Sequence, residues 1–296
     1  MVGVTELGFI PELVAVFAAG FSAGAVNVVV GGGTLVSFPV LVLLGYPPVT
    51  ATVANTVGIV PGSVVGAFGY RRELSARRKV MRALLPASVA GGVTGSLLLL
   101  SLPGEVFTRV VPWLICTGTM LVLLGPTVKR TVAVRRSRLR TASDGPGDGP
   151  GDGQGDGPGD GPGTADGKLP AAFSSRGAAA TAVVAAFLLG IYGGYFSAAQ
   201  GILLTGVLGV ISRMDMQELN AVKNLTVAGV NLVAAAVFLV VSPELVDWSL
   251  AGTVACGAVC GGVVGVRVAR LLSPAVLRAA VAVVGVAAVA LTVSRG

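Results

Sequence analysis

The sequence predicts an all-α polytopic membrane protein built as two inverted repeats of transmembrane helices, each opening with a broken or re-entrant helix pair. Three observations carry that reading. Apolar runs near bilayer length recur along most of the chain, two groups of these runs match at a nearly constant spacing, and equivalent loops of the two groups differ in charge. The first repeat covers residues 1–128, a cytoplasmic basic segment with a disordered linker covers 129–176, and the second repeat covers 177–296.

Residues are 53% hydrophobic and only 12% charged, where a soluble domain carries about a quarter charged residues. Spans in lipid must be helices, because the bilayer offers the backbone no hydrogen-bond partners and the strand alternation of a barrel is absent. The apolar runs fall at 8–30, 33–45, 51–69, 80–101 and 108–128, then at 177–199, 201–212, 220–241, 248–267 and 274–294. Those at 33–45 and 201–212 are short for a full crossing, which takes about 20 residues. Each is expected to turn back or break near its glycines, where irregular backbone lines a cavity and avoids lipid.

Asp144 to Gly167 is a series of Gly-Pro-Gly-Asp repeats with six of the fourteen acidic residues; such a composition buries no core and is read as a hydrated, disordered linker. The net charge of +7 does not indicate nucleic acid, because six basic residues cluster between Arg71 and Arg82 and six between Lys129 and Arg140. That is the pattern of cytoplasmic loops. Cys116, Cys256 and Cys260 lie in apolar runs, so neither a disulfide framework nor a zinc site is indicated. The N-terminal apolar stretch lacks a basic start and a small-residue cleavage site and is read as a retained span.

Gly24 and Gly31 match Gly194 and Gly201, and Gly91, Gly92 and Gly95 match Gly261, Gly262 and Gly265. After a one-residue shift Val53 and Asn55 match Val222 and Asn224, and Arg109 matches Arg278. The loop Tyr70 to Met81 is strongly basic, while its counterpart Ser242 to Asp247 has no Lys or Arg. Equivalent loops therefore prefer opposite sides of the membrane, as an inverted repeat requires.

No enzyme is expected: the chain has no histidine, carboxylates are read as absent from the spans, and the hydroxyls have no evident base. No metal or cofactor is expected either. What the centre offers is backbone donors, amides and hydroxyls, which suit a small anion. The first candidate cluster is Asn27 with Gly31, Gly32, Gly33 and Thr34, where a glycine run can release N–H groups ahead of a helix start; the alternative is a packing kink. The second is Tyr195, Phe196, Ser197, Gln200 and Gly201 at the equivalent break. Paired breaks are a pointer to a transporter's central site. The third is Asn55 and Thr56 with Lys223 and Asn224. Lys223 either attracts the anion or snorkels to the cytoplasmic surface.

At these residues the chain resembles the sulfite exporter TauE/SafE family of membrane permeases. Gly31–Pro39 (GGGTLVSFP), Gly45–Ala51 (GYPPVTA) and Asn55–Gly58 (NTVG) resemble the family's first repeat, and Gly193–Gly201 (GGYFSAAQG) and Leu219–Asn224 (LNAVKN) its second. Val29 stands where many members carry a further glycine. The resemblance implies a duplicated helical architecture in the cell membrane and efflux or passage of sulfite, sulfonates or related sulfur or carboxylate anions. Alternating access between the repeats is the expected mechanism, a channel-like pore and a non-transporting scaffold being the alternatives. The expected partners are the anion and the lipid bilayer, without nucleic acid; no residue pattern specifies an oligomeric state.

Overall fold

The computed structural model describes residues 8–117, 120, 173, 175–212 and 214–268. The linker, the basic segment 129–140 and the apolar run 274–294 lie outside these. Ten helices are described: α1 (Phe9–Val29), α2 (Thr34–Leu43), α3 (Pro48–Gly69), α4 (Arg71–Ala76), α5 (Arg78–Ser101), α7 (Arg176–Phe196), α8 (Gln200–Ile211), α9 (Met216–Val241) and α10 (Trp248–Val268), with α6 over 104–117. Six of them, α1, α3, α5, α7, α9 and α10, are long and apolar enough to cross a bilayer. α2 and α8 are the short apolar helices.

Helix starts depart from the apolar runs where the first turn is polar or proline-led. α3 begins at Pro48 because proline fits the first helical position, where its missing N–H costs nothing. α9 begins at Met216 behind a capping box in which the Asp215 carboxylate accepts from the Glu218 amide and the Glu218 side chain accepts from the Asp215 amide. The basic loop after α3 is itself partly helical, as α4. Carboxylates are not wholly absent from the spans: Glu12 sits in the first turn of α1. It accepts a hydrogen bond of 2.7 Å from the Tyr46 hydroxyl. Burial, and then the Glu12 carboxylate, push the Tyr46 phenol up to about 12.

That bond returns the end of α2 to the start of α1, so the α1–α2 pair doubles back on itself. The α7–α8 pair does the same from the other end of the bundle, where Phe173 bridges to Ser212. α3 links the two ends, since it starts beside Tyr46 and finishes at the basic turn. There Arg77 pairs with Glu218 at 2.7 Å and ties α4 and α5 to the start of α9.

Small residues set the helix packing. Gly20 and Gly24 of α1 lie against Val254 and Ala258 of α10, and Gly190 and Gly194 of α7 lie against Ser88 and Gly92 of α5. In return Gly257 and Gly261 face Phe17 and Phe21, while Gly91 and Gly95 face Phe187 and Ile191. A Cβ at any of these eight glycines would run into backbone, so the close approach requires glycine. The contacts equate Gly91 with Gly257 and Gly95 with Gly261. That register is one helical turn from the sequence match of Gly91 with Gly261.

Outer faces are apolar and exposed, for example Val14 and Phe17 on α1, Leu97 and Leu98 on α5, and Val184 and Leu188 on α7, as lipid contact requires. The three cysteines are on such exposed faces and not in the core. α2 is buried at Thr34–Pro39 and Leu41. Its Phe38 joins Phe107, Tyr195 and Phe196 in an edge-on aromatic cluster.

Candidate functional site

The two helix breaks meet at the centre of the molecule. The Gly201 amide donates to the Gly31 carbonyl at 3.2 Å, and a Cβ on either glycine would lie 2.8 Å from the other's Cα. Gly31 holds φ +91, a left-handed conformation that side chains with a Cβ resist. The turn then folds back on α1, because a Cβ on Gly33 would collide with the Ala23 carbonyl and approach the Asn27 Cβ at 3.0 Å. Gly32 differs from its neighbours: its nearest contact would be the flexible end of Ile202.

This geometry corrects part of the donor inventory. The Gly201 amide is committed to Gly31, and the Leu35, Val36 and Ser37 amides donate to the Gly32 and Gly33 carbonyls. Gly32, Gly33 and Thr34, all buried, have no backbone acceptor for their amides among the described residues. These three N–H groups open α2, where the helix dipole adds partial positive charge.

Lys223 does not snorkel. It is 0% exposed, and its ammonium donates to the Val28 carbonyl at 3.0 Å. Val28 is in the last turn of α1, whose carbonyls carry the negative end of the dipole and compensate a buried cation. The Lys223 stem also lines the contact of the two breaks, with Cδ 3.0 Å from a Cβ built on Gly31 and 3.1 Å from one built on Gly201. Ala54 occupies the matching position of α3, so this charge belongs to one half only.

The amides at the breaks are buried and incompletely bonded. Asn55 Nδ2 donates to Thr34 Oγ1 at 3.3 Å, joining α3 to the start of α2, while Asn55 Oδ1 has no partner among the described residues. Asn224 is the Asn55 counterpart, but Leu204 stands where the first half has Thr34, and the Asn224 Nδ2 has no acceptor among the described residues. Gln200 is 2% exposed, lies over the Gly193 backbone, and leaves both side-chain polar atoms without partners among the described residues. A buried polar group left unsatisfied costs about 1 to 3 kcal/mol, so these amides carry unused hydrogen-bonding capacity at the breaks.

Two residues that the sequence reading did not single out complete the centre. Asn27 Nδ2 donates to Ser63 Oγ at 3.0 Å, Asn231 Nδ2 donates to the same oxygen at 3.1 Å, and Ser197 Oγ donates to Asn231 Oδ1 at 2.8 Å. One chain of hydrogen bonds thus runs from the first break to the second through α3 and α9. The match of Gly31 with Gly201 also pairs Asn27 with Ser197, the two ends of this chain of hydrogen bonds. Of the other candidates, Thr56 is buried on α3, and Tyr195 is turned into the aromatic cluster, its ring 5.5 Å from Phe107.

The family described as sulfite exporter TauE/SafE matches residues 16–292. The chain belongs to the sulfite exporter TauE/SafE family. It is a multi-pass membrane protein of a transporter family, not an enzyme. It is similar to a "Probable membrane transporter protein ORF9" of a Sinorhizobium species, 29% identical over 112 residues, which cover 38% of this chain and 43% of that one. It is also similar to a "Probable membrane transporter protein" of Haemophilus influenzae, 26% identical over 114 residues, covering 38% of this chain and 45% of that one. The chain thus spans less than half the length of the curated relatives it matches. No solved structure gives a significant match.

Proposed function

We propose that this TauE/SafE family protein carries a small oxyanion, such as sulfite, a sulfonate or a related carboxylate, across the cell membrane by alternating exposure of a site between two inverted repeats. The observation that carries the reading is the meeting of the two breaks at Gly31 and Gly201, with the buried Gln200 amide and Asn224 Nδ2 on the adjoining helices without partners among the described residues. A ligand there is offered N–H groups and a buried ammonium, all of which favour negative charge. The proposed site comprises Asn27, Gly31, Gly32, Gly33, Thr34, Asn55, Thr56, Tyr195, Ser197, Gln200, Gly201, Lys223 and Asn224.

Reciprocal packing of α1 on α10 and of α7 on α5 supports the inverted repeat, as do two doubled-back pairs entering from opposite ends. In this reading α1–α2 and α7–α8 are re-entrant, Arg71 to Arg82 and the linker are cytoplasmic, and Ser242 to Asp247 faces outward. Single cysteines at Gly147 and Glu244, in a background without native cysteines, should then label from opposite sides with an impermeant reagent. Labelling from one side removes the inverted repeat. Function is tested by sulfite flux in proteoliposomes of the full chain: saturable exchange is expected, linear flux would indicate a pore, and no flux would leave a scaffold.

A further inference from the structure

We propose that Ser63, at the crossing of α3 and α9, is a further binding residue, whose hydroxyl proton is given to the transported anion while Asn27 and Asn231 position it. The inference rests on the transport reading above. A serine hydroxyl has two acceptor sites and one donor. Asn27 Nδ2 and Asn231 Nδ2 take both acceptor sites, so the proton must point in the remaining direction.

The usual outlet for a helical serine is a carbonyl of the preceding turn, and Ser96 on α5 uses it, donating to Gly92 and Val93. Ser63 makes no such bond, and its proton has no acceptor among the described residues, although the residue is only 4% exposed. A buried donor in that state calls for an acceptor. The surroundings say what kind: Asn27 lies against Gly33, next to the amides that open α2, and Asn231 is held by Ser197, which leads to Gln200 and α8. The Gly32, Gly33 and Thr34 amides beside Asn27 are donors without a backbone acceptor among the described residues, so an anion's oxygen is the fitting acceptor for them and for the Ser63 proton together.

Asn27 and Asn231 come from opposite halves and act through Ser63. A serine held from both sides reports the anion to both breaks at once, which distinguishes it from donors on one pair only.

The test is sulfite binding to the purified full chain, with Ser63→Ala, Ser63→Cys and Ser63→Thr beside the wild type. Alanine removes the donor and cysteine keeps the volume with a weak one; each should weaken sulfite affinity by about tenfold. Threonine keeps the hydroxyl and should stay within about threefold of the wild type. Thermal stability without sulfite separates a binding role from a structural one: a merely structural serine would lower it in Ser63→Ala and leave the affinity unchanged. If alanine and cysteine variants bind sulfite like the wild type, the role of Ser63 is overturned and the transport reading stands. If the wild type binds neither sulfite nor a sulfonate or small carboxylate offered in its place, the transport reading falls and this inference with it.

Discussion

The first break and the second break do the same geometric work with different residues. Between α1 and α2 the left-handed turn is made by Gly31, at φ +91, which carries no Cβ. Between α7 and α8 it is made by Ser197 and Ala199, at φ 59 and 56, where a side chain costs roughly 1 to 2 kcal/mol per residue. The first break is therefore encoded locally. The second is held by what surrounds it, through the Ser197 hydroxyl on Asn231 and the Gly201 amide on Gly31. Strain of this kind persists only where neighbours over-determine it, and it gathers at ligand sites and switches.

The largest effects should come from filling the glycine contacts that bring the first break against α1 and against Gly201. Gly33→Ala and Gly201→Ala put a Cβ into backbone that cannot withdraw, and both should lose most of the folded protein, read as the monodisperse fraction in detergent. The Cβ of Gly32→Leu would meet the flexible ends of Ile202 and Leu35 and reach the Ala199 backbone only at an ordinary contact distance of 3.8 Å, so this variant should fold and insert while losing sulfite flux. Normal flux in Gly32→Leu would reduce the triplet to packing.

The second break yields a prediction of opposite sign. Ala199→Gly relieves the left-handed alanine and should raise thermal stability by about 1 kcal/mol. A loss of stability would mean that the α7–α8 turn is not strained as described. A smaller effect is expected far from both breaks. Arg77→Gln removes a partly exposed ion pair with Glu218 and should cost at most about 1 kcal/mol, leaving sulfite affinity unchanged because the capping box of α9 keeps its own bonds.

The same contrast explains what could be read from the sequence. Span positions followed from hydropathy, and the first break followed from Gly31, Gly32 and Gly33. α4 was hidden because a six-residue segment with four polar or charged residues between spans looks like a loop, and the polar first turn of α9 lay outside its apolar run. Ser63 and Asn231 were hidden for a different reason. Each is a single small polar residue on an apolar helix, and only the crossing of α3 with α9 brings them together across 168 positions. Lys223 was visible as a charge, yet its bond to the Val28 carbonyl joins α9 to the last turn of α1 across 195 positions. The register of α5 against α10 was misread by one turn because glycines recur along both helices, and sequence matching cannot choose among them.

The most direct measurement of the central claim is the equilibrium dissociation constant of sulfite for the purified full chain and for Gln200→Ala and Asn224→Ala. Both amides are buried beside the meeting breaks with unpartnered atoms, and loss of a donor to a charged ligand removes about 1.5 to 3 kcal/mol. The expected result is saturable binding by the wild type, weakened about tenfold or more in each variant. Wild-type affinity in both variants would place the anion elsewhere in the molecule and contradict the assignment of a shared site between the two breaks.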